Sequence, residues 1–533
     1  MRLSSPLSRR SFIAGLGAAA LPRHGWALAS DGAPVRGGTL VVGASPEPTT
    51  LTSAITSAGP TQLVSGKIFD GLLTYDLKLQ PQPQLATAWD VSADGLTIRF
   101  TLRAGVRWHD GKPFTSDDVA YSLLKVWKVY HSRGRGTFAN VERVETTDAL
   151  TLVLHLSKPA PYLLSALAST ESQVLPAHLY RAGAVLTNPA NNAPIGTGPF
   201  RFVRWNRGSD IVLERNPDYW QPQQPYLDRL IFRFLPDAGA TAAALETGSI
   251  ALATTMAPAD VARLRNNGAL TIDTRPSGFS AVITSLEFNL DRPALRDARV
   301  RQAIAHAIDR DFLVKNIWFG DAVAASSPVP SSLPAFFGTN LPSYPFDLAR
   351  AAALLDQAGL QPDSRGVRLA LSCDPYPSPP LLQSAQYLRS NLRRIGVQLN
   401  VRQQDAGEFV NRIYTRRDFD TVIYGAAAGP DPAIGSQRFY WSKNFQPGIA
   451  FSNGAHYANR EVDALLEAAQ VELDPARRRA LYLQFQQIVQ RDAVTLPLVS
   501  YGLPVLSSRR LRDATVSAEG VLGNFAGAWM ARA

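Results

Sequence analysis

The sequence predicts an α/β protein with more than one lobe. Its 533 residues are too many for a single simple core, so the chain is expected to divide into two or three folding units. Stretches with the two-residue period of strands alternate with amphipathic helices along most of the chain, which is the pattern of α/β lobes. The hydrophobic content of 45% and the charged content of 18% are typical of a globular protein and exclude a disordered one.

The first 29 residues are expected to be an export signal and not part of the fold. Ser8-Arg9-Arg10-Ser11-Phe12-Ile13 resembles the twin-arginine export motif, and Ala27-Leu28-Ala29 fits the small-x-small rule for cleavage. The apolar run at residues 12–21 is shorter than the ~20 residues that a membrane span needs. No cysteine follows this leader, so no lipid anchor is expected. We therefore expect a soluble periplasmic protein that passes through the twin-arginine translocase.

The mature chain then alternates predicted strands and helices. Strands are expected at residues 37–43, 96–102, 151–156, 280–289, 367–372, 397–401, 419–424 and 496–499. Helices are expected at residues 238–247, 259–264, 298–308, 347–357, 381–395, 461–469 and 475–490, with capping or breaking residues at most of their ends.

The clearest single unit lies between Ala86 and Ser122. Apolar residues alternate with polar ones from Leu96 to Leu102, which predicts a half-buried strand. After a turn at residues 109–113, Thr115 and Asp118 have the spacing of a capping box, which predicts the start of a helix.

This unit also resembles the signature segment of the extracytoplasmic solute-binding proteins that serve peptide, opine and nickel ABC importers. Trp89-Asp90-Val91-Ser92, Asp94-Gly95-Leu96 and His109-Asp110-Gly111 stand in the order and spacing of that segment. Similar segments occur at residues 69–75, 212–220 and 300–310, so that the resemblance covers nearly all of residues 37–533.

The resemblance implies a periplasmic binding protein fold of type II, with two α/β lobes joined by a two-strand hinge. Lobe I would comprise residues 37–283 with an inserted subdomain at about 81–189, lobe II residues 284–498, and residues 499–533 would return to lobe I. A ligand would bind in the cleft between the lobes. The partners implied are an ABC permease and ATPase complex in the inner membrane.

No catalytic constellation is found in the sequence. The seven histidines are scattered, and His109 and His131 are expected to be exposed turn residues. The single cysteine, Cys373, excludes an intrachain disulfide and a cysteine-pair zinc site, and it is expected to be buried. We therefore expect no cofactor, no metal site and no enzyme activity.

The net charge of +10 does not by itself indicate nucleic-acid binding. The basic residues are spread along the chain, and Arg477-Arg478-Arg479 is the only tight cluster. This triplet lies in a predicted amphipathic helix, where a solvated face is expected. No nucleic-acid partner is therefore predicted, and a monomer is expected.

The segment expected to contact the ligand and determine specificity is the loop that follows the strand at residues 419–424. It contains the small residues Gly425, Ala426 and Ala428, which let backbone groups approach a ligand closely. Further ligand contacts are expected at Tyr424, Asp431, Phe439, Tyr440 and Trp441 in or beside this loop, at Glu47 in a loop similar to the family's first cleft-lining loop, and at Asn289.

Ala428 departs from the pattern of the family. Relatives that bind free peptides place an aspartate at this position, three residues before the acid of an acid-Pro pair, and that aspartate pairs with the peptide ammonium. Asp431-Pro432 matches the acid-Pro pair here, but Ala428 carries no charge. An unpaired buried ammonium costs several kcal/mol, so that either Asp431 takes over the charge or the ligand lacks a free ammonium group.

Three functions remain open at this point. The first is a periplasmic receptor of an ABC importer for a small polar solute, either peptide-like or, as the alternative, an opine, an oligosaccharide or a metal chelate. The second is a peptide chaperone on the same scaffold. The third, an exported enzyme, predicts clustered histidines or cysteines, which the sequence lacks.

Overall fold

The computed structural model describes residues 32–131, 133–254, 256–274, 279 and 281–532. The predicted leader at residues 1–29 lies outside these residues. Within the described part of the chain, no helix is long and apolar enough to cross a membrane.

The first lobe is built on a seven-stranded sheet. Its strands lie in the order Leu270–Asp273, Val505–Ser508, Leu252–Ala253, Thr39–Ala44, Arg229–Phe234, Asp210–Arg215 and Phe200–Asn206. The strand Thr39–Ala44 pairs in parallel with both of its neighbours, so it lies at the centre of the sheet and is largely buried. The strand Val505–Ser508 comes from the end of the chain, which therefore returns to this lobe.

The second lobe is built on a six-stranded mixed sheet. Its strands lie in the order Val323–Ala324, Thr495–Tyr501, Val282–Phe288, Thr421–Ala427, Leu369–Pro375 and Val397–Val401. The central strand Val282–Phe288 is antiparallel to both of its neighbours. One face of the sheet packs on a separate hydrophobic core that includes the buried Cys373, as the sequence predicts.

A smaller antiparallel sheet is inserted in the first lobe. Its strands lie in the order Ala86–Val91, Thr97–Leu102, Thr151–Leu156 and Val141–Asp148. The predicted alternation is confirmed, because Ile98, Phe100 and Leu102 are buried while their polar neighbours face outward. The capping box of Thr115 and Asp118 is also present, and two further short pairings join Leu73–Tyr75 to Pro81–Pro83 and Leu511–Arg512 to Trp529–Met530.

Helices flank the sheets and begin mostly at predicted caps. The α-helices of at least seven residues are Gly59–Ile68, Ala238–Glu246, Pro258–Leu264, Ala298–His306, Leu348–Gln357, Pro379–Arg393, Arg460–Val471 and Pro475–Asp492. Shorter ones are Ser116–Tyr121, Gly134–Thr137, Ala177–Tyr180, Pro293–Arg296, Arg310–Phe312 and Ala406–Val410. Asp237, Asp297, Asp347 and Asp474 each accept a backbone hydrogen bond at a helix start, as the sequence predicts.

Tighter and wider helical turns complete the set of elements. Short 3₁₀-helices occur at Ser53–Ile55, Pro161–Ser165, Val185–Thr187, Pro189–Asn191, Ser436–Phe439, Ser442–Asn444 and Gly520–Leu522. Wider π-type turns occur at Ser122–Trp127, Leu313–Ile317 and Asn411–Arg416, and each continues a preceding α-helix.

Neither of two histidines is exposed, although the sequence predicts exposed turn positions for them: His131 is buried and His109 is half-buried. His109 packs on the glycine-rich segment at residues 195–200, where its Nε2 lies 2.9 Å from the carbonyl oxygen of Gly198. His131 accepts a hydrogen bond at Nδ1 from the backbone N–H of Gly134. Burial lowers the pKa of His109 to about 4 and that of His131 to about 3, so both rings are neutral at physiological pH.

Asp70 ties together distant parts of the first lobe. Its buried carboxylate accepts hydrogen bonds from Gln84, Tyr219, Trp220 and Asn524, at 2.9, 3.2, 2.8 and 2.9 Å. These donors belong to the inserted region, to a loop between two strands of the main sheet and to the C-terminal tail. Burial raises the pKa of Asp70 to about 6, while the hydrogen bonds from Trp220, Asn524 and Tyr219 lower it.

We expect Asp70→Ala to lower the free energy of unfolding by about 3 kcal/mol or more, because several buried donors lose their shared acceptor. Asp70→Asn, which keeps one carbonyl acceptor, should lower it by less. Urea unfolding followed by circular dichroism measures both variants. An alanine variant as stable as the wild type would contradict this role of the carboxylate.

Candidate functional site

The segment at residues 428–441 lies where the two lobes meet. It follows the strand Thr421–Ala427 of the second lobe, yet the side chain of Ile434 at its tip is buried in the hydrophobic core of the first lobe. Elsewhere along the junction, Arg265 of the first lobe forms an ion pair with Asp321 of the second. The segment is therefore held between both lobes.

A small cavity lies beneath this segment. It opens on the face of the second sheet that carries Ile283, Ser285, Tyr424 and Ala426, and Phe439 covers it. The pairing of Ile283 with Ala426 and of Ser285 with Tyr424 puts these side chains on one face. The remaining lining residues are Pro328, Ala427, Ala428, Ser436, Tyr440 and Thr495. The volume of about 20 Å³ is room for a single water molecule.

The start of the expected loop is strand, which corrects the sequence prediction. Gly425, Ala426 and Ala427 continue the strand and pair with Thr284, Ile283 and Val282. Glycine and alanine have low strand propensity, but the neighbouring strand supplies the pairing that local sequence does not reveal. Ala426 and Ala427 consequently form part of the floor of the cavity.

Asp431 anchors the segment through a buried ion pair. Its two carboxylate oxygens accept hydrogen bonds from Nη1 and Nη2 of Arg478, at 2.6 and 2.8 Å, and both side chains are almost fully buried. Asp431 also accepts from the backbone N–H of Ala433 at 2.9 Å. Burial opposes the charge of Arg478, but the neighbouring carboxylate of Asp431 raises the pKa of Arg478 overall.

Arg478 therefore does not lie on a solvated helix face, contrary to the sequence prediction for the arginine triplet. Only 6% of Arg478 is exposed, whereas 74% of the Arg477 side chain is exposed. The partner of Arg478 is 47 residues away in the sequence, so helix periodicity alone does not identify it.

The predicted aromatic contacts separate into two groups. Tyr424 and Phe439 lie with their ring centroids 5.5 Å apart, and Tyr440, whose hydroxyl is hydrogen-bonded to Thr495, lines the cavity with them. Trp441 instead donates from Nε1 to Glu467 at 3.0 Å and is not among the residues that line the cavity.

Glu47 and Asn289 lie away from this cavity. Glu47 belongs to the first lobe and accepts hydrogen bonds from Trp205 and from the backbone of Gly208, at 2.8 and 3.0 Å. Asn289 follows the strand Val282–Phe288, at the opposite end from the cavity, where its amide bonds the carbonyl oxygen of Phe419 at 2.9 Å.

The structure adds buried polar residues that sequence reasoning missed. Among the described residues, Glu287, Tyr414 and Arg438 each have a buried polar atom for which no hydrogen-bond partner is found: Oε1, the hydroxyl and Nε, respectively. Glu287 lies on the same sheet face as Ser285, and its Oε2 accepts from Tyr424 at 2.7 Å. The sequence contains one signal for Glu287: it is the only acidic residue in the largely apolar stretch at residues 280–289.

Two of these polar residues, Glu287 and Tyr414, lie close to each other. Glu287 and Tyr414 both lie against Gly454, where a Cβ atom would be 2.4 Å from Oε1 of Glu287 and 3.1 Å from the ring of Tyr414. Burial raises the pKa of Glu287 to about 7, although Tyr424 and Arg417 lower it. In the described part of the chain, no group of three histidine, cysteine, aspartate or glutamate side chains could hold a metal ion.

A family model described as bacterial extracellular solute-binding proteins, family 5 Middle, matches residues 80–447. The chain belongs to this family. It is 30% identical to the di/tripeptide-binding protein 2 of Pseudomonas aeruginosa over 442 residues, which cover 78% of this chain and 80% of that protein.

Two solved structures have a similar fold over nearly the whole chain. NikZ from Campylobacter jejuni in complex with Ni(L-His) is 27% identical, with a TM-score of 0.79 and coverage of 91% of this chain and 97% of NikZ. The periplasmic binding protein DppA from Helicobacter pylori in complex with the peptide STSA is 26% identical, with a TM-score of 0.78 and coverage of 93% and 99%.

These comparisons confirm the predicted type II fold with two lobes and the predicted function class. The family 5 protein is a substrate-binding component of an ABC importer, extracytoplasmic and not an enzyme. The fold and the family do not identify the ligand, because one similar structure contains a nickel complex and another contains a peptide.

We expect Asp431→Ala to cost about 3 to 5 kcal/mol of unfolding free energy, because it leaves the guanidinium of Arg478 buried without a charged partner. The double variant Asp431→Ala/Arg478→Met should recover much of that loss. Asp117→Ala breaks a pair whose side chains are more than half exposed and should cost less than about 1 kcal/mol. Denaturant unfolding measures all three, and equal losses for the single and double variants would contradict the anchor.

We expect Glu287→Gln to flatten the pH dependence of stability. With a folded pKa raised to about 7, the stabilisation from protonated Glu287 is complete below the unfolded value near 4.5 and is lost as the pH rises to about 7. The variant should therefore gain stability relative to the wild type between pH 5 and pH 8, by about 3 kcal/mol at most. Melting temperatures across this range test it, and a constant difference would contradict the raised pKa.

Proposed function

We propose that this solute-binding protein captures a small polar solute, most simply a peptide-like one, beside the segment at residues 428–441. The observation that carries the proposal is the group of buried polar atoms without partners at Glu287, Tyr414 and Arg438. Buried polar groups in native proteins are almost always hydrogen-bonded, and a bound solute would supply the missing partners. Tyr424 and Phe439 offer flat surfaces for its apolar parts.

Solute entry would require the lobes to separate. A cavity of about 20 Å³ does not hold a peptide, so we infer hinge opening before binding and closure after it. The chain would cross between the lobes next to the strands Val282–Phe288 and Thr495–Tyr501, close to the proposed boundaries of lobe I at 37–283 and 499–533 and of lobe II at 284–498. The membership of the strands in two separate sheets supports this division. The permease and its ATPase would then receive the solute from the closed form.

A peptide-like solute is supported by the di/tripeptide-binding protein of P. aeruginosa and by the peptide in the H. pylori structure. Asp431 remains a proposed contact, although its carboxylate would first have to leave Arg478. Trp441, Tyr440, Gly425, Glu47 and Asn289 also remain proposed contacts. An opine, an oligosaccharide, a metal chelate or a peptide-chaperone role is the alternative.

We further propose export by the twin-arginine route, cleavage after Ala29 and a monomeric periplasmic protein. The support for this route is the Arg9-Arg10 motif and the small residues before Ser30.

Native mass spectrometry of the protein purified from its own periplasm tests the proposed function. We expect one small solute or a narrow set of solutes, released on denaturation and rebound by the emptied protein. Peptides with free amino termini would support the peptide reading, and blocked peptides or a non-peptide solute would support the alternatives. Absence of any solute, together with no rebinding, would contradict a receptor. A transport assay in a strain that lacks the permease separates a receptor from a chaperone. Uptake of the solute that requires both this protein and the permease would support the receptor.

We expect Ala426→Phe to reduce binding of the recovered solute at least tenfold, because the ring would occupy the floor of the cavity. Ala370→Phe is the matched control, since Ala370 lies exposed in another strand of the same sheet. Isothermal calorimetry measures affinity, and circular dichroism checks that both variants are folded. Equal affinity for a folded Ala426→Phe variant would place the solute elsewhere.

A further inference from the structure

Arg438 is a cation at the lobe junction without a counter-ion of its own. It lies in the turn Ser436–Phe439, directly before two aromatic residues that line the cavity, and its guanidinium carbon is 4.7 Å from the centroid of the Phe439 ring. Its Nε atom is buried without a hydrogen-bond partner. Across the described residues, its guanidinium forms no ion pair within 4.0 Å.

The charged groups that face Arg438 come from both lobes. Burial, and to a smaller extent the positive charge of Arg133, lower the pKa of Arg438 to about 10, while Tyr424, Tyr414 and Glu171 act in the opposite direction. Arg133 and Glu171 belong to the first lobe, so charges of both lobes act on Arg438.

The one nearby carboxylate of the first lobe is already neutralised. Glu171 forms an ion pair with Arg133, and the two side chains are 8% and 14% exposed. Within this group the two arginines therefore outnumber the glutamate. Burial raises the pKa of Glu287, which accepts a hydrogen bond from Tyr424, to about 7. Its carboxyl group therefore supplies at most part of a negative charge at neutral pH. The group thus has an excess of positive charge.

Negative charge is also missing from the rest of the segment. Ala428 carries no carboxylate, and the carboxylate of Asp431 is bonded to Arg478. Arg438 is half-buried, and its buried Nε atom lacks a hydrogen-bond partner among the described residues. Such a group is costly, whereas a guanidinium binds a carboxylate through two parallel hydrogen bonds. The arrangement favours a ligand anion over a ligand ammonium group.

We propose that Arg438 is a specificity-determining residue that binds a carboxylate group of the transported solute across the lobe junction. The inference rests on the proposed function and adds the chemical class of the solute. Tyr414 and Tyr424, which lie near Arg438, would accompany the carboxylate with their hydroxyl groups. Binding would join the second lobe, through Arg438, to the Arg133 side of the first lobe and would favour the closed form.

The test compares Arg438→Gln, which removes the charge, and Arg438→Lys, which keeps the charge but loses the paired donors. Arg477→Gln is the matched control, because Arg477 is an exposed arginine of the same lobe. The probes are the solute released from the native protein, its chemically prepared carboxamide, and the pair Ala-Phe and Ala-Phe amide. Calorimetry measures affinity, and thermal unfolding measures stability with and without each probe.

We expect the carboxylate form of a bound probe to lose about 10- to 100-fold in affinity with Arg438→Gln, and less with Arg438→Lys. The wild type should bind the carboxamide more weakly by a similar factor, whereas Arg438→Gln should not distinguish the two forms. Arg477→Gln should behave as the wild type.

The ligand-free melting temperature separates a binding role from a structural one. Removing this half-buried, unpaired cation should leave the ligand-free melting temperature unchanged or raise it. The increase in melting temperature on adding the carboxylate probe should become smaller. A ligand-free variant that melts lower, or wild-type affinity in Arg438→Gln, would overturn the inference alone. A wild type that binds no native solute would overturn the proposed function and this inference with it.

Discussion

The buried ion pair between Asp431 and Arg478 fixes the segment on which the site depends. It joins the helix Pro475–Asp492 to residues that lie between the lobes, and the tip of that segment at Ile434 is buried in the first lobe. Replacing such a pair by apolar side chains is often neutral for stability. We therefore interpret the pair as a device that sets one position for the segment, since two parallel hydrogen bonds orient it more narrowly than apolar packing.

The anchored segment and the sheet face below it differ in how completely their polar groups are paired. Around Asp431 every charge is satisfied, whereas beside the cavity Glu287, Tyr414 and Arg438 keep polar atoms unpartnered. Proteins tolerate such local violations mainly at functional sites, where the surrounding structure provides the stability. The contrast between a satisfied anchor and an unsatisfied neighbourhood marks the boundary between scaffold and binding surface.

Local sequence patterns predicted the parts of the fold that depend on neighbours in the chain. The strand ending at Leu102, the capping box at Thr115 and the N-cap at Asp474 follow from spacing within a few residues. The extension of a strand through Ala427 and the burial of Arg478 depend on partners more than 40 residues away. The same reason explains why Arg438 was missed: its environment comes from Arg133 and Glu171 of the other lobe.

On a shared fold, a change of charge at one or two positions of the binding site is enough to change ligand specificity. Ala428 offers no carboxylate to an ammonium group, and the role that we propose for Arg438 adds an attraction for carboxylates. Specificity is a difference of affinities, so the same arginine that attracts an anion also repels a free amino terminus. The two features act in the same direction: together they would favour an anionic solute, with no change to the anchor or to either sheet.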